Sequence, residues 1–390
     1  MNEPLVSIII PTHERSKYLI PTVKSLLSIP YDIEIVVSDS SHHDHISVAI
    51  RDFPGSNRVK IIRPGTSISV VDNFNIALAA SSGRFVTFIG DDDFVSDQIY
   101  QVALWAEEAN IEAIRFTFPV LYYWSDFLHQ RLGTSLGGTL HIKKYTGKTR
   151  IIRPATSVLA ALDNFGGGVL EMPRAYCGLI SRKLVQRIDH KYGPLFGGVS
   201  PDIYSSYLIS IESFRSVYID FPVIIPGSSG KSTAGLSANG QHVGLLRDNP
   251  HIKPFKNLIW DDKIPEFYSV PTVWSFSLLQ AVETTETLAE KPNFLRLYLK
   301  CFVFYPKYRD YTLKAFCAYS TTRSPLNLCK EIPIAIASES IFMLGIIVKR
   351  IISYLFRSAS HRVSGLLNSY DAYKYLCGKE LSRKSPSFFN

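Results

Sequence analysis

The chain has 390 residues, of which 46% are hydrophobic and 19% are charged, so its composition excludes an intrinsically disordered protein. Its length predicts two folded regions rather than one core. The five cysteines are scattered without a CxxC pair, which argues against a zinc site or a disulfide framework and favours reduced thiols in a cytosolic protein. The net charge of +8 is concentrated in residues 341–390, where eight Lys/Arg face two acids. Such a bias suits an anionic surface.

Strands and helices are predicted to alternate along the first hundred residues. Short apolar and β-branched runs predict four strands, at Leu5–Ile10, Ile33–Val37, Val59–Ile62 and Arg84–Ile89. The first run follows Glu3 and is too short for a signal peptide. Apolar residues at helical spacing predict helices over Tyr18–Leu27 and from Val70 to near Gly83. The alternation predicts an α/β fold with a mostly parallel sheet, whose ligands bind beyond the carboxyl ends of the strands.

After residue 110 the alternation loosens into segments rich in aromatic residues and glycine. A helix is predicted with Ser200 as its N-cap, Pro201 as its first residue and Asp202 in its first turn. Another strand is predicted over Ser216–Ile225, and Thr272–Phe316 is predicted to be mostly helical.

The segment Ile332–Phe356 is apolar and edged with basic residues. Its longest stretch without Lys, Arg or Pro, Ile334–Val348, contains Glu339 and is shorter than the ~20 apolar residues that usually cross a membrane. Two interpretations stay open: an amphipathic helix lying on a membrane surface, or a core helix with a solvated basic edge. The basic tail lacks interleaved aromatic and basic residues, so no nucleic-acid partner is expected.

Three consecutive aspartates, Asp91–Asp93, follow the fourth predicted strand. Their carboxylates repel one another near neutral pH unless a positive group balances them. Clustered carboxylates suit a hard divalent cation, and Mg²⁺ typically takes one or two of them together with substrate phosphates. The pattern therefore predicts a site for Mn²⁺ or Mg²⁺ and a diphosphate. The alternative is a solvated acidic turn before a helix that begins near Asp97.

Four segments, in this order, resemble the family 2 glycosyltransferases of the GT-A fold: PTHER (11–15), SDSS (38–41), DNFNIALAASSGRFVTFIGDDD (72–93) and SPDIY (200–204). The resemblance covers about residues 4–230 and is greatest to bacterial transferases of O-antigen and capsular polysaccharide synthesis. It implies a GT-A (nucleotide-diphospho-sugar transferase, Rossmann-like) domain over residues 1–245. Residues 1–110 would form its nucleotide-binding half and 111–245 its acceptor-binding half, followed over 246–390 by a mainly helical region that is a candidate for membrane association.

The resemblance also implies roles for single residues. The nucleotide pocket would be lined by Pro11, Thr12, Glu14, Arg15, Asp39, Asn73, Asp91 and Asp92. Asp93, or otherwise Asp92, would bind the metal. Asp202 would deprotonate the acceptor hydroxyl, unless it only stabilises the helix dipole. Further candidates for acceptor, phosphate or metal contacts are Arg174, Lys231 and His242.

The expected function is transfer of a hexosyl or deoxyhexosyl group, with inversion, from a nucleoside-diphosphate sugar to a saccharide acceptor carried on a polyprenyl lipid. The expected location is cytoplasmic, peripheral on the inner face of the cell membrane. Two alternatives stay open. A sugar nucleotidyltransferase would use a similar fold, although PTHERSKY lacks the glycines of a triphosphate-binding loop. A non-catalytic nucleotide-sugar sensor or membrane scaffold would keep the pocket without the reaction.

Overall fold

An eight-stranded mixed sheet organises the computed structural model, which describes residues 3–232, 235–236, 242–285, 291–355 and 361–381. The strands are β1 Val6–Thr12, β2 Glu34–Asp39, β3 Val59–Ile62, β4 Phe85–Phe88, β5 Phe94–Val95, β6 Ala113–Phe116, β7 Val120–Tyr123, β8 Thr139–Ile142, β9 Thr149–Ile152, β10 Gly178–Ser181, β11 Ser216–Ile219, β12 Ile224–Ile225, β13 Gly227–Ser228, β14 Gly244–Leu245, β15 Phe267–Tyr268 and β16 His361–Ser364. The helices are α1 Ser16–Leu27, α2 His45–Ile50, α3 Val70–Ala79, α4 Gln98–Glu108, α5 Pro154–Asp163, α6 Arg182–Tyr192, α7 Pro201–Glu212, α8 Val270–Thr285, α9 Phe294–Phe304, α10 Arg309–Ser320, α11 Pro325–Leu355 and α12 Ser369–Tyr375.

The main sheet has the strand order β3-β2-β1-β4-β10-β6-β11-β9. Strands β3, β2, β1 and β4 are parallel neighbours, and β11 is parallel to β6, whereas β10 and β9 run antiparallel to their neighbours. The register pairs Thr12 with Asp39, and Ile9 with Phe88. The carboxyl ends of β1, β2 and β4 therefore meet at one edge. The predicted α/β architecture, a mostly parallel sheet flanked by helices, is confirmed.

Both faces of the sheet are buried, which explains the continuous apolar runs of its parallel strands. Successive strand residues point to opposite faces. Ile9, Val36 and Val86 pack with α3, α5, α7 and α8, whereas Ile8 and Ile35 pack with α1 and α4. Each large apolar side chain buried in this way contributes about 1.5–3 kcal/mol. The sheet is therefore a rigid base for the loops at its carboxyl edge.

The region after residue 245 shares this hydrophobic core. Phe276 of α8 and Leu297 of α9 belong to the same buried cluster as Ile9, and β16 pairs antiparallel with β8. The mainly helical character predicted for 246–390 is observed over the described residues, and Thr272–Phe316 falls on α8, α9 and α10. The division at residue 245 stays a prediction, and the core runs across it.

Several elements differ from the sequence predictions. The strand predicted over Ser216–Ile225 is wrong as one element, because β11 lies in the main sheet and β12 pairs with β5. Pro222 lies in the break, where it has no N–H for a ladder. The segment after residue 110 forms strands and helices despite its irregular pattern. Helix α3 ends at Ala79, and Gly83 lies so close to β1 that a Cβ would come within 2.5 Å of Ser7 N.

Helix α11 covers the segment predicted as Ile332–Phe356, of which Phe356 lies outside the described residues. One narrow side packs on α9, through Ala335 and Glu339, while the rest of its surface exposes apolar side chains such as Ile341 and Leu344. By length and composition alone, Pro325–Lys349 could cross a membrane, and it is the one such helix found among the described residues.

Candidate active site

The segments PTHER (11–15) and SDSS (38–41) and the three aspartates each coincide with the end of a strand, and they meet at the carboxyl edge of the sheet. Thr12 Oγ1, at the end of β1, donates a hydrogen bond of 2.6 Å to Asp91 Oδ2, after β4. His13 Nδ1 lies 3.0 Å from the Ser40 carbonyl oxygen, which links the ends of β1 and β2. Short loops after parallel neighbours converge in this way because the strands end at one edge. The structure thus brings together residues that are up to 79 positions apart.

Arg15 supplies a positive charge for the aspartates. Its Nε lies 2.6 Å from Asp91 Oδ1 and its Nη2 lies 3.1 Å from Asp92 Oδ2. Burial raises the pKa of Asp91 to about 6, although the Arg15 charge acts in the opposite direction. Burial also lowers the pKa of Arg15, but the charges of Asp91 and Asp92 outweigh it and the net shift is upward. Two carboxylates therefore share one guanidinium, which leaves an excess of negative charge.

Ser229, just after β13, closes the cluster from the opposite side. Its Oγ donates to Asp92 Oδ2 at 2.6 Å and accepts from Arg15 Nη2 at 3.0 Å. The third guanidinium nitrogen, Arg15 Nη1, is buried, and no group of the described residues accepts its hydrogen bonds. A buried donor without a partner is costly, so this nitrogen is available to an anionic ligand.

Asp93 is held differently from its two neighbours. Its Oδ2 accepts from Gly90 N and its Oδ1 from Gly227 N, each at 2.7 Å. Burial, together with the Asp92 charge, raises the pKa of Asp93 to about 7. Gly227 approaches so closely that a Cβ there would lie 1.8 Å from Asp92 O. The Asp93 carboxylate thus fastens the aspartate turn to β13, and each of its oxygens already has a backbone donor.

Asp39 and Asn73 frame the site from β2 and α3. Asp39 Oδ2 accepts from Arg63 Nη1 at 2.5 Å, and its Oδ1 accepts from Ser41 N at 2.9 Å. Asn73 Nδ2 donates to the Ser38 carbonyl at 3.3 Å, so α3 is tied to the end of β2. Arg63 was missed by the sequence predictions. Its position just after the third strand was the available signal.

The loop after β1 is rigid and strained. Glu14 has a φ of 53°, in the left-handed region, and its Oε1 accepts from His42 N at 2.6 Å. Pro11 lies within β1, opposite Ser38 of β2. Strained backbone of this kind costs about 1–3 kcal/mol and is retained where surrounding contacts hold it. These contacts fix the direction in which Arg15 leaves the loop.

Asp202 lies where the sequence predicted it, at the start of α7. Ser200 is the N-cap residue and Pro201 the first helical residue. The Asp202 carboxylate accepts from the Ser200 hydroxyl and, at 2.9 Å, from Ile203 N. The loop before α7 is anchored by Phe196, whose ring centroid lies 4.8 Å from that of Phe88, the last residue of β4. Helix α7 therefore starts on the side of the sheet where β4 ends.

Among the described residues, the three remaining candidates form no hydrogen bond or ion pair with Asp91, Asp92 or Asp93. Arg174 stacks 4.8 Å over the Phe118 ring, and its buried Nε has no hydrogen-bond partner among the described residues. Lys231 is exposed, two residues after Ser229. His242 is buried edge-on against Tyr268, with ring centroids 5.1 Å apart. Within the described ranges, no three His, Cys, Asp or Glu side chains are grouped as a metal site.

Comparison with known proteins supports the resemblance of the N-terminal half. Residues 7–158 match the family model described as Glycosyl transferase family 2. An uncharacterized glycosyltransferase of Haemophilus influenzae is 31% identical over 99 residues, 25% of this chain and 40% of that protein. The GalNAc(5)-diNAcBac-PP-undecaprenol beta-1,3-glucosyltransferase of Campylobacter jejuni is 32% identical over 93 residues, 23% of this chain and 30% of that protein. The chain thus spans less than half the length of these curated relatives.

Among solved structures, S. aureus TarS 1-349 in complex with UDP-GlcNAc is similar, with a TM-score of 0.44 and 13% sequence identity. The likeness covers 82% of this chain and 93% of that one.

Proposed function

Since residues 7–158 match the family model of glycosyl transferase family 2, we propose that this protein is an inverting, metal-dependent glycosyltransferase. It moves a hexosyl or deoxyhexosyl group from a nucleoside-diphosphate sugar to a saccharide acceptor. The observation that carries the proposal is the cluster of Arg15, Asp91, Asp92 and Ser229 at the carboxyl end of β4, in which one guanidinium nitrogen has no hydrogen-bond partner among the described residues.

The donor diphosphate and a divalent cation fit this cluster together. Two carboxylates are the number that Mg²⁺ commonly takes from a protein, and the excess negative charge favours a cation. Asp91 and Asp92 are the better ligands, because their main partners are the side chains of Thr12, Arg15 and Ser229. Asp93 is proposed to hold the turn, in contrast to its expected place as first metal ligand. The bound cation would neutralise charge that develops on the departing diphosphate. Arg15 Nη1 would donate to a phosphate oxygen.

The nucleoside would lie against the ends of β1 and β2. Pro11, Thr12, Glu14, Asp39 and Asn73 surround this position, and the Arg63 contact sets the orientation of the Asp39 carboxylate. Asp202 is the proposed base. Inversion requires the acceptor hydroxyl to attack from the face opposite the leaving diphosphate, so the base must stand apart from the aspartate cluster. Asp202 would take the hydroxyl proton as the new glycosidic bond forms and the bond to the diphosphate breaks.

The acceptor is proposed to be a polyprenyl-linked oligosaccharide of surface polysaccharide synthesis, which places the protein on the inner face of the membrane. The named Campylobacter relative acts on an undecaprenol-linked substrate. In this chain, α11 exposes a broad apolar surface, including Ile334, Ile341, Leu344 and Ile347. Basic residues border it, as expected of a helix that lies on anionic lipid. The core-helix interpretation is disfavoured, because the described side chains of α11 pack on the protein along one narrow side and expose apolar groups elsewhere.

The donor site can be tested by binding of nucleoside diphosphates with Mn²⁺ to the full-length protein. We expect stabilisation by one nucleotide of a panel of UDP, GDP, CDP and dTDP, and Asp92→Asn should lower its affinity about tenfold or more, because a charged ligand is lost. Asp93→Asn should mainly lower the melting temperature. Asp52→Asn, at an exposed carboxylate remote from the cluster, is the matched control. Undiminished Mn²⁺-dependent binding by Asp92→Asn would contradict the proposed metal site.

Membrane association can be tested with three substitutions on α11, Ile341→Ser, Leu344→Ser and Ile347→Ser. The combined variant should lose at least about tenfold in partition onto vesicles of phosphatidylethanolamine and phosphatidylglycerol, because each change removes apolar surface from the lipid. The control variant carries Ile151→Ser and Phe214→Ser, at two equally exposed apolar residues outside α11. Equal sedimentation of both variants with vesicles would rule out α11 as the membrane surface.

A further inference from the structure

A cleft of about 850 Å³ lies between the start of α3, the segment 254–261 and helix α8. Its walls include Ser69 and Asp72 of the α3 start, Gly198 of the loop before α7, and Gln280 of α8. Segment 254–261 belongs to the region after residue 245, for which the sequence predicted a mainly helical structure. The cleft is therefore built from both predicted regions of the chain.

The cleft lies next to two elements of the candidate active site, the helix that carries Asn73 and the loop that precedes Asp202. On one side, Asp72 directly precedes Asn73, whose amide is bonded to Ser38 beside Asp39. On the other side, Gly198 lies four residues before Asp202. Between them, Asn75 Nδ2 of α3 donates to the Phe196 carbonyl at 2.9 Å, and Phe196 N donates to Asn75 Oδ1 at 3.2 Å. A molecule in the cleft would thus contact the start of α3, next to Asn73, and the loop that leads to Asp202.

The polar groups of the cleft favour a neutral, hydroxyl-rich ligand over an anion. Its lining holds three carboxylates and two amides but one lysine: Asp72, Asp261 and Glu283, Asn257 and Gln280, and Lys256. Burial and the Asp261 charge raise the pKa of Glu283, whereas Lys263, whose Nζ lies 3.0 Å from Asp261 Oδ2, acts in the opposite direction. Carboxylates and amides accept hydrogen bonds from hydroxyls, whereas a phosphate here would meet like charge. The diphosphate of the donor therefore belongs at Arg15 and not in this cleft.

Apolar side chains complete the cleft. Phe276, Gln280 and Glu283 follow one another along one side of α8, at helical spacing, so the same helix face supplies an aromatic, an amide and a carboxylate. Phe276 is fixed by stacking on Trp260 at 4.4 Å between ring centroids. Ile259 is 87% exposed. A pyranose has apolar C–H faces beside its hydroxyls, which suits a lining of this mixed kind.

We infer that this cleft binds the saccharide part of the acceptor, and that Asn257, Asp261 and Gln280 contribute to the choice of sugar. The inference rests on the proposed glycosyltransferase function. It assigns the acceptor site to residues of segment 254–261 and α8, rather than to Arg174, Lys231 or His242. The lipid diphosphate of the acceptor would remain outside the cleft, since the lining repels anions.

The test is saturation-transfer NMR on the full-length protein with glucose, galactose, mannose, rhamnose, N-acetylglucosamine and N-acetylgalactosamine, and with their β-linked disaccharides. At least one sugar should bind, and Gln280→Ala should weaken its binding tenfold or more. Asp261→Asn should also weaken the binding of that sugar. Asp262→Asn is the matched control, because the Asp262 carboxylate is next to Asp261 in sequence but is 79% exposed and does not line the cleft. Nucleoside diphosphate binding should be unchanged in all three variants.

The outcomes separate this inference from the proposed function. The acceptor-site inference is overturned if no saccharide of the panel binds the unmodified protein, or if Gln280→Ala and Asp261→Asn bind the same sugar as tightly as Asp262→Asn does. It is also overturned if inorganic pyrophosphate displaces the sugar from the cleft. In each of these cases, nucleotide-sugar binding at Asp92 would leave the proposed function standing. If the unmodified protein binds no nucleotide at all, the proposed glycosyltransferase function is itself contradicted.

Discussion

Asp202→Asn should reduce sugar transfer by about 10²–10⁴-fold while leaving the affinity for the nucleoside diphosphate unchanged, because general-base catalysis supplies a factor of this size. The carboxamide keeps the shape of the side chain and its acceptor oxygen for Ile203 N, so α7 should still begin at the same residue. What it loses is the ability to take a proton from the acceptor. The measurement is turnover with radiolabelled nucleotide sugar, together with calorimetric titration of the nucleotide.

The competing interpretation is that Asp202 only stabilises the positive end of the α7 dipole. Such an effect contributes about 0.3–1 kcal/mol to stability and nothing specific to turnover. Asp310→Asn is a suitable control, since Asp310 is an exposed acid in the first turn of α10. If both variants lose the same stability and keep full turnover, Asp202 has the structural role alone. If Asp202→Asn also loses nucleotide binding, Asp202 does not act on the acceptor hydroxyl alone.

The sequence was most informative where local pattern and global topology agree. Apolar runs located β1, β2, β3 and β4 to within about two residues of their observed bounds. The rule that parallel strands end at one edge then placed Thr12, Asp39 and Asp91 together before any contact was known. The helix start at Ser200–Asp202 was also predicted correctly, because Ser and Pro each have a defined position at an N-terminus.

The side-chain pairings of the site could not be predicted from the sequence, because they join residues that are far apart in the chain. The charge partner of Asp91 is Arg15, 76 residues earlier, and Ser229 binds Asp92 from 137 residues later. Neither pairing has a local signature. The sequence predicted that Arg15 lines the nucleotide pocket. In the structure its guanidinium forms ion pairs with Asp91 and Asp92. In the same way, the short strands β6, β9 and β10 owe their place to neighbours in the sheet and carry little periodicity of their own.

Glu339 of α11 has a role in the structure that the sequence pattern does not indicate. In the sequence, Glu339 interrupts an apolar run. In the structure, Glu339 Oε2 lies 2.9 Å from both Arg296 Nε and Lys300 Nζ of α9, in a group of side chains that are each less than 10% exposed. Burial lowers the pKa of Lys300, and the bond to Glu339 opposes that shift. The acid is therefore the anchor that holds one side of the helix on the protein.

Glu339→Gln should destabilise the protein by about 3–5 kcal/mol, because the buried Lys300 loses its carboxylate partner and Arg296 keeps only its ion pair with the exposed Asp163. The matched control is Glu331→Gln on the same helix. Its carboxylate is 37% exposed and lies 3.9 Å from Arg323, so its loss should cost less than about 1 kcal/mol. Urea unfolding of both variants and of the unmodified protein provides the comparison, provided that the m-values agree.

A second variant replaces all three charged residues, Arg296, Lys300 and Glu339. It distinguishes the cost of leaving buried charges unpaired from the net contribution of the ion pairs to stability. A variant with Arg296→Met, Lys300→Met and Glu339→Leu should recover most of the stability lost in Glu339→Gln, since well-packed apolar groups often replace a buried ion pair without cost. It should also keep the vesicle binding expected from the exposed side of α11. A loss below 1 kcal/mol in Glu339→Gln would mean that α11 does not rest on α9. In that case the interpretation of Pro325–Lys349 as a membrane-crossing helix, which its length and composition allow, would be favoured.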